Sequence, residues 1–275
     1  MNLLLWTAHV DETHAPLLDE LAGAGFDGVE VPLFAGDAAH YRGVRAELDR
    51  AGLGCTTVTV ASPEANAISP DAAVRAAFVE RMRWALEMSA ILGADVIAGP
   101  MHQALGEFTG SGASADELGR GADSLHAAAE IAAEAGVTIA VEYLNRFEAY
   151  FLTTAADARA FVERVGHPRL RTMYDTFHAH IEEKDQGAAI RAIAPVMAHF
   201  HVSENDRGVP GSGQVRFDDA FAALREVGYD GWITIEAFGS ALPDLAAATK
   251  VWRPLFASER DVYRDGLALI RRGTG

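Results

Sequence analysis

The stretch DELGRGADSLHAAAEIAAEAGVTIAVEYL, residues 116–144, joins a helical pattern to an apolar run through a single glycine, Gly136. Glycine is the favoured residue where a helix ends in a left-handed turn. The run that follows, TIAVEYL (138–144), is β-branched and nearly continuously apolar, as expected of a strand covered on both faces of a parallel sheet. Outward from this unit the same rhythm repeats along the chain. The other runs are LLLW (3–6), GVEVPL (28–33), TTVTVA (56–61), DVIAGP (95–100), LRTMYDT (170–176), MAHFHVSE (197–204) and WITIEAF (232–238). Each leads into a helical pattern, and Gly25, Gly93, Gly166 and Gly228 repeat the role of Gly136. Eight strand–helix units in about 240 residues predict a (β/α)8 TIM barrel. A doubly wound sheet is the alternative, but no G-x-G-x-x-G follows the first run. No compositional break divides the chain, which reads as one domain over residues 1–275 with a C-terminal helical extension. In that extension Pro254 is expected to interrupt the helical pattern of DLAAATKVWRPLFASERDVYRDGLALIRR.

Composition narrows the function classes. The 275 residues are 49% hydrophobic and 23% charged, ordinary for a globular protein. The 39 acidic against 23 basic residues give a net charge of −16, which argues against nucleic-acid and anionic-membrane partners. The single cysteine, Cys55, excludes a disulfide framework, a cysteine-cluster metal site and a two-thiol racemase. Only Lys184 and Lys250 could form a Schiff base. No run approaches the eighteen or so apolar residues of a membrane span, and MNLLLWTAHVDE lacks the basic start of a signal peptide, so a cytoplasmic location is expected.

In a (β/α)8 barrel the chemistry sits at the C-terminal strand ends. The fifth to eighth runs offer Glu142, Asp175, His201 and Glu236 there. Carboxylates inside apolar strands are costly to bury unless paired or metal-bound. Three of them with one imidazole suit a six-coordinate Mn2+, Mg2+ or Co2+ better than a closed Zn2+ site. His199, two residues earlier on the same strand face, is the alternative ligand. His201 is preferred because it lies nearer the strand end. Trp6 and Phe238 are expected to wall the pocket. His102 and His180 read as surface or loop residues. GVPGSG (208–213) reads as a Gly/Pro turn, with a phosphate cradle as the alternative.

Together VEYLNRFE (141–148), YDTFHAHIEE (174–183), HFHVSENDRGVPGSG (199–213) and ITIEAF (233–238) resemble the D-tagatose 3-epimerase group of ketose 3-epimerases within the xylose-isomerase-like barrels. The resemblance extends through PDLAAATKVWRPLF (243–256). It implies that Glu142, Asp175, His201 and Glu236 hold a divalent metal, Mn2+ foremost and Co2+ or Mg2+ otherwise. It also implies that Glu148, His178 and Arg207 contact the carbonyl end of a sugar, and that the protein forms homodimers or homotetramers. The residues' own alternatives are a Glu148–Arg146 pair, a loop or helix-start histidine at 178, and Arg207 as a solvated charge or partner of Glu204. The expected reaction interconverts C3 epimers of a free 2-ketose of the D-tagatose, D-allulose or L-ribulose type. The metal polarises the C2 carbonyl, and Glu142 and Glu236 exchange the C3 proton on opposite faces through a cis-enediolate. The loop MHQALGEFTG (101–110) lacks a tryptophan found in relatives, and WTAHVDE (6–12) is less aromatic than theirs. These departures leave an aldose–ketose isomerase, or a keto-inositol or 3-keto-glycoside isomerase or epimerase, as alternatives on the same site. A multi-metal nuclease would need more ligands and a basic groove. A purely sugar-binding protein leaves the paired carboxylates unexplained.

Overall fold

A computed structural model describes all residues, 1–275. Seven parallel strands run in sequence order around a nearly closed barrel: β1 (Gly28–Pro32), β2 (Gly54–Val58), β3 (Val96–Gly99), β4 (Thr138–Glu142), β5 (Leu170–Asp175), β6 (Met197–Val202) and β7 (Ile233–Ile235). The helices between and after them are α1 (Ala15–Ala24), α2 (Ala38–Ala51), α3 (Ala72–Leu92), α4 (Ala115–Ala135), α5 (Ala155–Val165), α6 (Thr176–Glu182), α7 (Gln186–Ile193), α8 (Phe217–Glu226), α9 (Pro243–Thr249) and α10 (Glu259–Thr274). The barrel expected from the strand–helix rhythm is therefore present, and α1, α2, α3, α4 and α5 each end at a left-handed glycine.

One expected strand is absent. LLLW was assigned to the first strand, but Leu3–Leu5 form a buried 3-10 turn. The cause is Asn2, whose side-chain oxygen accepts the Leu4 N–H at 2.9 Å and turns the chain at once. Only Met1 and Asn2 occupy the gap between β7 and β1. Asn2 N–H donates to the Ile235 carbonyl at 2.9 Å, and Glu30 N–H donates to the Met1 carbonyl at 2.8 Å. β2 also begins two residues earlier than the TTVTVA run suggests.

Alternation along the strands divides the core. Ile139, Val141, Tyr174, Phe200 and Val202 face the helices in the main apolar core. Their neighbours face the barrel interior, where Val96, Ala98, Ala140 and Met173 form a small apolar layer. One step further along the same faces come Glu142 and Asp175. The β5–β6 register shifts at Thr172/Met173, and beyond that irregularity Asp175 stands beside His201.

The C-terminal pattern breaks as expected, although the break begins before Pro254. Lys250 ends α9 in the left-handed region (φ 62°), and the chain is irregular until α10. The extension folds back on its own barrel. Tyr263 is buried and donates its hydroxyl to Glu20 at 2.6 Å, and Arg271 donates to the Gly25 carbonyl at 2.8 Å. No helix is long and apolar enough to cross a membrane.

Candidate active site

Glu142 closes β4, Asp175 closes β5, His201 lies near the end of β6, and Glu236 directly follows β7. The Glu236 N–H continues the ladder by donating to the Val202 carbonyl at 3.0 Å. The four side chains are buried, and one donor atom from each lies within 4.8 Å of those of the others. His201 Nδ1 is 3.4 Å from Glu236 Oε1 and 3.6 Å from Asp175 Oδ2. The sequence reading thus named four residues that the fold brings to one point.

The charge balance of this cluster invites a cation. Three buried carboxylates converge, and Glu142 Oε1 has no hydrogen-bond partner. Burial pushes the Glu142 carboxyl well above its ordinary range, and the charges of Glu236 and Asp175 push it further. Glu236 moves the other way. Burial would raise it, but His201 and Arg207 outweigh burial and hold it low. For His201, burial opposes the charge, yet Glu30 and Glu236 prevail and raise its pKa well above the ordinary value. An orphaned buried carboxylate oxygen beside two more carboxylates and an imidazole can hold a divalent cation of the Mg2+, Mn2+ or Co2+ kind.

His199 does not join the quartet. Its Nε2 lies 2.8 Å from Glu30 Oε2, one layer deeper in the barrel. The deeper layer was not legible beforehand, because Glu30 sits mid-run in GVEVPL. A charge at an inward position of an otherwise apolar strand was the available signal.

Arg207 is buried and is neither a solvated charge nor a partner of Glu204. Its Nη1 donates to Glu236 Oε2 at 2.6 Å, Asp175 Oδ2 at 3.3 Å and Ser203 Oγ at 3.0 Å. Its guanidinium lies 3.8 Å from the Phe177 ring centroid and 5.0 Å from that of Phe238. Phe177 went unnoticed in the sequence, although it stands two residues after the strand-end Asp175. Arg207 adopts φ 66°, a conformation L-residues seldom take.

His178 is buried at the start of α6. Its Nδ1 lies 3.0 Å from the Asn145 N–H. Its Nε2 is 3.5 Å from Glu142 Oε1 and 2.9 Å from the donor Arg207 Nη2. Burial and the Arg207 charge lower the His178 pKa well below the ordinary value, so the ring is neutral. Glu148 accepts Asn145 Nδ2 at 2.9 Å and does not pair with Arg146, which instead binds Glu182 at 2.8 Å. Phe238 is buried beside Arg207, whereas Trp6 ends the Leu3–Leu5 turn and packs on Tyr263 at 6.4 Å between centroids.

His102 lies in the loop after β3, one of its two expected settings, but not on the surface. It is fully buried, stacks on Phe151 at 6.0 Å, and is held neutral by burial, which lowers its pKa to about 3. A histidine just beyond a short apolar strand carries no signal separating surface from wall. His180 is half-buried on α6.

The GVPGSG segment is a turn wrapped around one carboxylate. Glu204 accepts the N–H groups of Asn205 (3.0 Å), Gly211 (2.8 Å), Gln214 (3.1 Å) and Val215 (3.0 Å). Within the segment itself the Gly211 N–H goes to Glu204, the Gly208 N–H to Asp206 Oδ1 and the Ser212 N–H to the Val209 carbonyl. A Cβ at Gly213 would stand 2.6 Å from Glu204 Oε1 and would also collide with Asn205 Oδ1. Glu204 is pinned and cannot yield. Gly213→Ala is expected to destabilise the protein by about 1–3 kcal/mol, an overpacking cost. A thermal melt within 1 °C of the parent's would contradict it.

Residues 18–272 match the family model described as xylose isomerase-like TIM barrel. The chain is 32% identical to a ketose 3-epimerase of Arthrobacter globiformis, with 98% of this chain and 93% of that protein covered. It is 33% identical to a D-psicose 3-epimerase of Agrobacterium fabrum, with 97% and 95% covered. Its fold superposes on a solved L-ribulose 3-epimerase with a TM-score of 0.94 at 30% identity, covering 100% of this chain and 93% of that one. The shared barrel and the near full-length similarity converge, and the chain belongs to the ketose 3-epimerase family of xylose isomerase-like TIM barrels, a family of carbohydrate epimerases.

Proposed function

We propose that this protein is a metal-dependent ketose 3-epimerase that interconverts C3 epimers of a free 2-ketose of the D-tagatose, D-allulose or L-ribulose type. The observation that carries this reading is the convergence of Glu142, Asp175, His201 and Glu236, all buried, with one donor atom from each within 4.8 Å of those of the others. Glu142 closes β4 and Glu236 follows β7, so the two glutamates reach the cluster from different strands.

Glu142, Asp175, His201 and Glu236 would hold the cation, Mn2+ foremost and Co2+ or Mg2+ otherwise. When bound, the ion supplies polarisation of the C2 carbonyl, which acidifies the C3 hydrogen. One glutamate removes that proton to give a cis-enediolate, and the other returns a proton to the opposite face of C3. The pair then regains its starting protonation by exchange with solvent, and in the reverse reaction the two roles are exchanged. Arg207 supplies positive charge to the developing oxyanion, with the neutral imidazole of His178 beside it. Glu148 supports that end of the sugar. Phe238 and Trp6 wall the far end, and Phe177 and Phe238 shield the guanidinium from water.

The reading is tested by incubating Mn2+-loaded protein with a panel of 2-ketoses and determining product configuration by NMR. Inversion at C3 is expected. An aldose product would indicate an aldose–ketose isomerase instead, and turnover of 3-keto-glycosides or inososes alone would move the substrate class.

Arg207→Ala separates oxyanion support from metal binding. Metal content is expected near the parent's, with kcat/KM lower by about 10²–10³-fold, the usual cost of removing one oxyanion donor. An equally active variant would remove Arg207 from the reaction.

A further inference from the structure

We propose that Glu30 is a positioning residue that fixes the orientation and tautomer of His201, so that Nδ1 is presented to the cation as a bare lone pair. The inference rests on the quartet being a metal site, as read above. An imidazole offers two nitrogens, and the hydrogen bond at one decides which form the other takes. In this barrel the two nitrogens of His201 face different layers. Nδ1 points at Glu236 and Asp175, and Nε2 lies 2.9 Å from Glu30 Oε1. An ionised carboxylate only accepts, so the proton on Nε2 is the one retained, and Nδ1 is the nitrogen left bare when the ring gives up a proton to bind a cation.

Glu30 can impose this because its own position is over-determined. Thr56 Oγ1 donates to Oε2 at 3.0 Å, and His199 Nε2 lies 2.8 Å from the same oxygen. Asn2 Nδ2 donates to Oε1 at 3.0 Å. The same Asn2 nitrogen is 3.1 Å from Glu236 Oε1, so one amide joins the deep carboxylate to a second member of the quartet. The arrangement also accounts for both histidines of the HFH run. His199 secures Glu30 and Glu30 secures His201, each two residues or one strand-layer apart. Glu30 has no accessible surface, and although it clusters with His199 and His201, both of its oxygens already face Asn2, Thr56 and these two imidazoles, which suits it to hold a ligand.

Glu30→Gln keeps the shape and removes the charge and the strict acceptor. Calorimetric titration of the metal-free variant with Mn2+ is expected to show a Kd weaker than the parent's by about 10–100-fold, the usual loss when a partner behind a metal ligand is altered. Mg2+-loaded, 15N-labelled parent protein should show a strongly downfield Nε2–H for His201, identified by its loss in His201→Gln, and Glu30→Gln should move it. An unchanged Kd in a folded variant overturns the proposal. If the variant does not fold, the parent spectrum decides, since a His201 proton on Nδ1, or no hydrogen-bonded Nε2–H, overturns it equally. Failure of the parent itself to bind Mn2+ would defeat the metal reading instead.

Discussion

Glu142→Gln and Glu236→Gln each lower epimerisation by at least about 10²–10⁴-fold, the contribution of a positioned acid or base. The amide keeps the size and one oxygen of the carboxyl but can neither take nor return the C3 proton. The same chemistry makes a labelling prediction for the parent. Turnover in D2O puts deuterium at C3 of the product and leaves C1 and C4 unlabelled, as read by NMR. A variant lacking one glutamate still exchanges C3 hydrogen with solvent from the face of the surviving one, without inversion, and so assigns that face. Label at C1 would point to aldose–ketose isomerisation. Inversion without any label would require an internal hydride or a redox route, and the two-glutamate scheme would fall.

Removing the metal has the second large effect. Chelation is expected to abolish activity, with Mn2+, Co2+ or Mg2+ restoring it, and full activity of metal-free protein would sink the assignment. A cation that binds only the folded chain stabilises it by about 2.7 kcal/mol at a hundredfold excess over Kd, roughly 5–10 °C in Tm. The pH dependence has a definite sign. In the metal-free protein the Glu142 pKa stands above its ordinary 4.5 and that of His201 above its ordinary 6.5. Both groups bind a proton more tightly folded than unfolded, so their contribution is present at low pH and is lost as pH rises through the folded values. The cation needs both groups deprotonated, so its affinity increases over the same range. The gap between metal-loaded and metal-free Tm should therefore widen as pH rises above 6.5. Glu30 and Glu236, both held low, lose their contributions only in acid, below about 4.5, and do not offset this. A gap independent of pH between 6 and 9 would count against the charge balance described for the quartet.

Much of this site was legible because strand ends are. Glu142, Asp175, His201 and Glu236 interrupt apolar runs at equivalent positions, and the period of two places each on the inner face. What escaped the sequence depends on distance through space. Nothing in LLLW announces that Asn2 will cap a turn and cancel a strand. Nothing local separates a buried His102 from a surface histidine, or shows that Arg207 will lie between two aromatic rings rather than in water. Glu30 was visible as a charge in an apolar strand, but its partners come from residues 2, 56, 199 and 201, which only barrel closure brings together.

That closure makes the gap between β7 and β1 a seam. Elsewhere each strand pairs directly with its neighbour, whereas here the join is the short Met1–Asn2 segment. Asn2 also bridges Glu30 and Glu236, so the fastener of the seam is part of the scaffold beneath the reacting groups. Local opening of the barrel at this point would dismantle the quartet before the remaining strands separate. An ion held between β4, β5, β6 and the end of β7 anchors one lip of the seam to the rest of the sheet. Heat inactivation should accordingly run ahead of global unfolding in metal-free protein tested after metal is returned, and the two should merge when the metal is kept bound.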